Sequence, residues 1–217
     1  MTQSSGDVDL AALPAVRWSG PREVDLTLDI PPGGVVLGTD RDGRPVAVAA
    51  IQPRPVRIGL LGHPAWATAL AYRLLGVGCQ VAVLTGGSQY WEALRAKVSG
   101  PALTWLDAPT SWPAAPGTPP TSAPGPQVLI VDYPTAPPLW VGELPWCTVM
   151  HVSSDAPEGS DFWANVDTML ITAQGYATVV AQRWGHADAA SADDLRPGEI
   201  ALADRHGIVP IVFPPTP

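Results

Sequence analysis

Charged residues are few in this sequence, and lysine is almost absent. Only 15% of the 217 residues are charged, against a usual share of ~25% in globular proteins. Lys97 is the single lysine, and the formal net charge is −8. Because binding to a nucleic-acid backbone needs clustered lysine and arginine, the composition excludes a nucleic-acid partner from our expectations.

Cysteine is equally scarce. The chain has two cysteines, Cys79 and Cys147, and neither has a cysteine or histidine at a spacing typical of metal sites. Two buried thiols in a reducing compartment account for them best. The four histidines and the scattered acids form no metal-binding pattern either. We therefore predict neither a metal nor a cofactor.

Secretory and membrane signals are lacking as well. Residues 1–10 are polar and acidic, which is unlike a signal peptide. The longest apolar stretch, residues 58–84, contains Gly-His-Pro, Arg73 and Gln80, and these residues divide it into strand, helix and strand. We predict a cytoplasmic protein without a transmembrane segment.

One βαβ unit stands out in what the sequence does contain. A buried strand is predicted at Val56–Leu61, followed by the turn Gly62-His63-Pro64, a helix over Ala65–Val77 and a second strand at Gln80–Leu84. A dinucleotide-binding fold carries G-x-G-x-x-G/A at such a turn and an acid about 20 positions later. The unit therefore predicts a nucleotide-binding type of scaffold.

The residues that would bind the phosphates and the ribose are replaced. Gly62 and Ala67 can stand for the first and third glycine, but Pro64 takes the second place. Proline has no backbone N–H, and its ring prevents a close approach. Thr85-Gly86-Gly87-Ser88 stands where the acid is expected. The phosphate-binding motif is thus degenerate.

Short apolar strands alternate with helical patterns along the rest of the chain. This order predicts an α/β fold, a Rossmann-like and mostly parallel sheet with helices on its faces. A small antiparallel β element precedes the sheet, and a β-hairpin ends it. Further strands are predicted at 24–30, 35–38, 45–49, 102–106, 127–132, 147–152, 168–172, 199–203 and 208–213, and further helices at 89–98 and 173–184.

The domain organisation follows from these patterns. Residues 1–20 are predicted to be a mobile leader, and residues 21–217 a single Rossmann-like domain. Within that domain, residues 21–52 form the N-terminal β element. Residues 109–126 are rich in proline, alanine, serine and threonine without periodicity, which favours a flexible loop.

The candidate site follows from the rule that open α/β sheets bind ligands beyond the carboxyl ends of their strands. The candidates there are Gly62, His63, Thr85, Ser88, Asp132 and His151, and all of these except His151 make up the predicted ligand site. His63 begins a helix, where a neutral imidazole is favoured, and Asp132 could orient it as a general base. The favoured alternative is that His63 caps a turn and Asp132 caps the helix-side loop. We predict no catalytic residue, and an enzyme is the less favoured class.

The strand that ends in Asp132 also matches a Walker B strand. Val128–Val131 supply four apolar residues before the aspartate. Because the chain has no G-x-x-x-x-G-K-[ST] loop, this match carries almost no weight.

Four segments resemble a known family. They are residues 34–46 with LGTDRDGRPV, Val56–Gly62, residues 81–91 within VLTGGSQYWEAL, and Pro145-Trp146 before an apolar strand. Together they resemble the soluble portion of EccE-type proteins, the accessory membrane component of actinobacterial type VII secretion systems. The resemblance implies a Rossmann-like cytoplasmic domain docked against subunits of a membrane complex, and a peripheral position at the inner face of the membrane. The two N-terminal transmembrane helices of that family are missing here, and no functional residue carries over.

Two functions remain open. The favoured one is a non-enzymatic scaffold or accessory protein that binds protein partners, including subunits of a secretion complex. It agrees with Pro64, with the missing ribose acid and with tryptophans in proline-rich context. The alternative is a domain that binds a nucleotide or dinucleotide-type ligand at a degenerate phosphate loop, where Thr85 and Ser88 offer hydroxyl groups near a helix start.

Overall fold

The strands of this protein form one mixed sheet. The computed structural model describes residues 34–87, 89–108, 112–113, 115–156 and 158–214. Within these ranges the sheet contains ten strands. They are β1 Val35–Thr39, β2 Pro45–Val48, β3 Val56–Leu61, β4 Gln80–Thr85, β5 Leu103–Leu106, β6 Gln127–Asp132, β7 Cys147–Ser153, β8 Thr168–Ile171, β9 Glu199–Asp204 and β10 Gly207–Val212. The strand predicted at 24–30 and the predicted leader lie outside the described residues.

The spatial order of the strands separates a parallel half from an antiparallel half. The order is β2-β1-β10-β9-β8-β3-β7-β6-β4-β5. The strands from β8 to β5 pair in parallel, and those from β2 to β8 pair antiparallel. This arrangement confirms the predicted α/β class, with its mostly parallel sheet, its antiparallel start and its final hairpin.

Four helices connect the strands within the described ranges. They are α1 Ala65–Gly76, α2 Glu92–Lys97, α3 Asp161–Ala164 and α4 Ala177–Trp184. The helix predicted at 89–98 is a 3₁₀ turn at Gln89–Trp91 that continues into α2. No helix in the described ranges has the length and apolarity that crossing a membrane requires.

The two faces of the sheet bury two separate hydrophobic clusters. Because side chains alternate along a strand, Ile58 and Leu60 of β3 lie in the same buried cluster as the apolar residues of α1, whereas Leu61 lies in the cluster on the other face. On that second face, Gly59 lies under the indole ring of Trp163, and a Cβ at Gly59 would stand 2.1 Å from that ring. The glycine is therefore required for α3 to pack onto β3.

The proline-rich stretch closes on itself. The backbone N–H of Thr118 donates to the carbonyl of Gly125 at 3.0 Å, and the N–H of Gly125 donates to Oγ1 of Thr118 at 2.9 Å. The carbonyl of Pro126 accepts from the N–H of Gln80 at the start of β4. These bonds attach residues 115–126 to the sheet. The flexibility expected of the loop at residues 109–126 stays a prediction.

One arginine fastens the first hairpin to the rest of the sheet. Arg41 lies in the turn between β1 and β2, and its Nε and Nη2 donate to the two carboxylate oxygens of Glu199 at 3.1 and 2.8 Å. Its Nη1 donates to Asp194 at 3.2 Å. The Glu199 side chain is only 4% exposed. The contact with Arg41 lowers the pKa of Glu199 to about 2.

We expect Glu199→Gln to lower the melting temperature at neutral pH, because Arg41 loses a two-point, charge-assisted partner. The pKa of Glu199 is depressed from 4.5 to about 2 on folding. Its stabilisation is therefore full above 4.5 and is lost as the pH falls toward 2. Thermal melts across this range should show that the difference in melting temperature between wild type and variant becomes smaller as the pH falls.

The control is Glu143→Gln. Glu143 also pairs with an arginine, Arg57, at 2.9 Å, but its side chain is 57% exposed. Exposed pairs contribute little, so this change should move the melting temperature less. Equal shifts in both variants would contradict the role given to Glu199.

Candidate functional site

The parallel half of the sheet has a topological switch point between β3 and β7. The chain leaves β3 through α1 toward β4 on one side, and leaves β7 through α3 toward β8 on the other. In open α/β sheets such a point forms a ligand crevice beyond the carboxyl ends of the strands. Here a crevice of about 510 Å³ is lined by Gly62, Pro64, Asp132, Tyr133, Pro134, Val152, Ser153, Ser154 and Asp155.

A second crevice adjoins the first. It has a volume of about 550 Å³ and lies beyond the carboxyl ends of β4, β5 and β6. Most of its wall is apolar, and Tyr133 contributes to both crevices. The lining residues are Leu84, Thr85, Gly86, Leu106, Asp107, Ala108, Val131, Tyr133, Thr135, Ala136, Pro137 and Pro138.

The turn between β3 and α1 binds the neighbouring strands. The N–H of Gly62 donates to the carbonyl of Ser153 at the end of β7, at 3.0 Å. The N–H of His63 donates to Oγ1 of Thr172, directly after β8, at 2.9 Å. Gly62 adopts a positive φ of 117°. Its conformation and its two flanking bonds hold three adjacent strands together at their carboxyl ends.

The first backbone N–H groups of α1 donate to acceptors within this same turn. Pro64 has no N–H, and the N–H of Ala65 donates to Nδ1 of His63 at 3.3 Å. The next N–H groups, of Trp66 and Ala67, donate to the carbonyls of His63 and Pro64 at 3.2 and 2.9 Å. The His63 ring therefore accepts a hydrogen bond within its own turn.

Asp132 is held by two side chains from neighbouring segments. Trp91 Nε1 donates to its Oδ2 at 2.6 Å, and Thr85 Oγ1 donates to the same oxygen at 3.3 Å. Thr85 and Asp132 face each other in the register of β4 and β6. Both residues were predicted at this edge, and the structure brings them together.

The general-base pair considered from sequence is not formed. Among the described residues, the side-chain oxygens of Asp132 accept from Trp91 and Thr85, whereas His63 is bound to Ala65 and lies edge-on to the Tyr90 ring at 4.5 Å. The predicted site residue Ser88 lies outside the described residues. Within the described ranges, no three His, Cys, Asp or Glu side chains gather as a metal-binding group.

Tyr133 and Trp91 also lie at this edge, and the predicted site omitted them. Tyr133 follows Asp132 at the end of β6, is 48% exposed and lies over Gly86. Trp91 is buried and reaches Asp132 across 41 positions of sequence. The signal that could have found Tyr133 was the position after the Walker B-like strand, and nothing local predicted the Trp91 contact.

His151 supports this edge from beneath. It is fully buried on β7, and its Nδ1 accepts from Trp163 Nε1 at 2.9 Å. Nε2 therefore carries the proton and donates to the carbonyl of Tyr133 at 2.9 Å. Burial lowers the pKa of His151, and the nearby charge of Asp132 offsets this only in part. The neutral ring links α3, β6 and β7.

Replacing Gly62 should test the turn directly. In Gly62→Ala the new Cβ would stand 2.3 Å from Oγ1 of Thr172, at a φ that side chains avoid. We expect a loss of about 1–3 kcal/mol in the free energy of unfolding, measured by urea denaturation. The matched control is Gly76→Ala at the end of α1, where a Cβ meets nothing within 4 Å. A similar loss in both variants would contradict this account of Gly62.

The stability should also depend on pH through His151. Since the folded pKa lies below the ordinary value of 6.5, the unfolded chain binds more protons between the two values. Stability is therefore full above 6.5 and falls with pH below it, by at most about 1.4 kcal/mol per pH unit. Urea midpoints between pH 7 and 5 should show this slope, and His151→Gln should flatten it. His206→Gln, with an exposed ring, is the control that should leave the slope in place.

Neither a protein-family model nor a curated protein sequence matches this chain. Solved structures do match its fold. The genome packaging NTPase B204 of Sulfolobus turreted icosahedral virus 2, solved with AMPPCP, aligns with a TM-score of 0.52 and 12% identity over 76% of this chain and 100% of that chain. The cytoplasmic domain of the Thermomonospora curvata type VII secretion ATPase EccC aligns with a TM-score of 0.53 and 11% identity. The alignment covers 82% of this chain and 28% of the EccC chain.

A third similar structure is the pCW3 conjugation coupling protein TcpA with ATPγS. Its TM-score is 0.54, with 8% identity over 88% of this chain and 68% of TcpA. At such identities the likeness shows the fold alone. The similar structure from a type VII secretion system is that of the ATPase EccC, and the EccE-type relationship stays a prediction.

These neighbours correct the function favoured from sequence. A non-enzymatic scaffold acting through protein contacts was the favoured function, yet the similar structures are NTPases or nucleotide complexes. The favoured function was therefore wrong, and the nucleotide-binding alternative agrees better. The error arose because the missing glycine and acid were taken as evidence against nucleotide binding. Those residues form only part of a nucleotide site.

Proposed function

We propose that this chain is a nucleotide-binding domain with a degenerate phosphate loop, and that its ligand lies in the two crevices that share Tyr133. The observation that carries this proposal is the placement of Asp132 and Tyr133 at the end of β6, beside the switch point of the sheet. The fold of the similar NTPases supports it.

The size of the crevices supports the proposal. Ligand pockets usually have volumes of about 300–1,000 Å³, and the crevices measure about 550 and 510 Å³. Since Tyr133 contributes to both, one ligand can extend from one crevice into the other. A base with an attached sugar is long enough to use both.

The two residues at the end of β6 have distinct roles in this proposal. The half-exposed ring of Tyr133 stacks against the base, because every base offers a π-face to an aromatic side chain. The described hydrogen bonds of Asp132 both reach Oδ2. Oδ1 accepts from a ribose hydroxyl, as carboxylates do in other α/β nucleotide sites.

Several expectations from sequence remain proposals beside this one. They are the single domain over residues 21–217, the cytoplasmic location with a peripheral position at the membrane, the protein partners, and the EccE-type relationship. The similarity to a type VII secretion ATPase supports a search for partners among proteins of that system.

The experiment is a thermal-shift screen of the purified protein against nucleosides, nucleotides and dinucleotides. A ligand at ~100 times its dissociation constant stabilises the fold by about 2.7 kcal/mol, which gives a visible shift. Tyr133→Ala should weaken binding by about 1–3 kcal/mol, the usual cost of losing a stacked base. Thr85→Val should weaken it less, by releasing Asp132.

The control variant is Tyr133→Phe, which keeps the ring and should keep the shift. The melting temperature of each variant without ligand shows whether a smaller shift comes from weaker binding or from a less stable fold. A flat screen would refute the proposed function, and an equal shift in wild type and Tyr133→Ala would place the ligand elsewhere.

A further inference from the structure

We infer that the site recognises the base and ribose, and that a nucleoside binds it at least as tightly as the corresponding triphosphate. This inference rests on the proposed nucleotide-type function and specifies the part of the ligand that the site binds. Three features of the carboxyl edge lead to it.

The first feature is the shortage of donors for phosphate oxygens. A phosphate loop cradles its ligand with backbone N–H groups at a helix start. Here the N–H groups of Gly62 and His63 donate to Ser153 and Thr172, and Pro64 has none. The N–H of Ala65 is bound by the His63 ring. A phosphate at the start of α1 would have to displace bonds that hold the sheet together.

The second feature is the sign of the charge around the crevices. Asp132 and Asp155 line the crevice at the switch point, and Asp107 lines its neighbour. The described linings include no lysine or arginine. Since like charges repel each other, each added phosphate group should weaken the binding of the ligand at this edge.

The third feature is the surface offered to a base. The larger crevice is lined by the apolar residues Leu84, Leu106, Val131, Pro137 and Pro138. A planar heterocycle buries its faces well against such residues. The same contacts gain nothing from a phosphate group, so affinity comes from the uncharged part of the ligand.

Isothermal titration calorimetry tests the inference. The probes are adenosine, guanosine, cytidine and uridine and their 5′-triphosphates, each with and without Mg²⁺. For the base that binds, we expect the triphosphate to be weaker than the nucleoside by roughly 3- to 10-fold at low salt. Raising the salt from ~50 to ~500 mM should narrow this difference, because salt screens exposed charges.

Charge variants separate this cause from others. Asp107 and Asp155 are exposed, so the double change Asp107→Asn and Asp155→Asn should leave the fold intact and bring the triphosphate closer to the nucleoside. The matched control, Asp42→Asn with Asp188→Asn, makes the same change of net charge outside both crevices and should leave the ratio unchanged.

The outcomes distinguish the two proposals. Binding of neither nucleosides nor triphosphates would refute the proposed function itself. Tighter binding of a triphosphate than of its nucleoside, with or without Mg²⁺, would overturn this inference and leave the proposed function standing. An equal effect of the crevice and control variants would show that the local carboxylates are not the cause.

Discussion

The three-residue connection between β3 and α1 is the constraint on which the carboxyl edge depends. Gly62 and His63 direct their N–H groups to residues at the ends of β7 and β8. These bonds align three adjacent parallel strands, and they need the positive φ of Gly62. They also occupy the donors that a phosphate loop would offer to its ligand. One local arrangement therefore holds the sheet together and occupies the N–H groups of the turn.

The sequence predicts the strands better than the helices, and the reason is physical. β3 and β6 are apolar runs bounded by turn residues, and their predicted limits are those of the structure. Helix α4 begins at Ala177, four residues later than predicted. There the carboxylate of Asp193 accepts from the N–H groups of Gly175, Tyr176 and Ala177. A cap supplied from 16 residues away leaves no local signal.

The candidate site was predictable to the extent that it follows from strand ends. Thr85 and Asp132 end adjacent parallel strands, so their meeting follows from the fold. The hydrogen bond from Trp91 to Asp132 depends on how a 3₁₀ turn packs onto the sheet. The partners of His63 depend on the conformation of the three-residue turn. Side-chain partners of this kind are decided by tertiary packing, which periodicity does not describe.

The proposed ligand would use the same edge that holds the sheet together. A ligand held by its base and ribose would contact the ends of β4 and β6 and the ring of Tyr133. Its binding energy would stabilise an edge that Gly62, His151 and Asp132 already hold together. The expected consequence of binding is thus a change in stability that tracks ligand concentration.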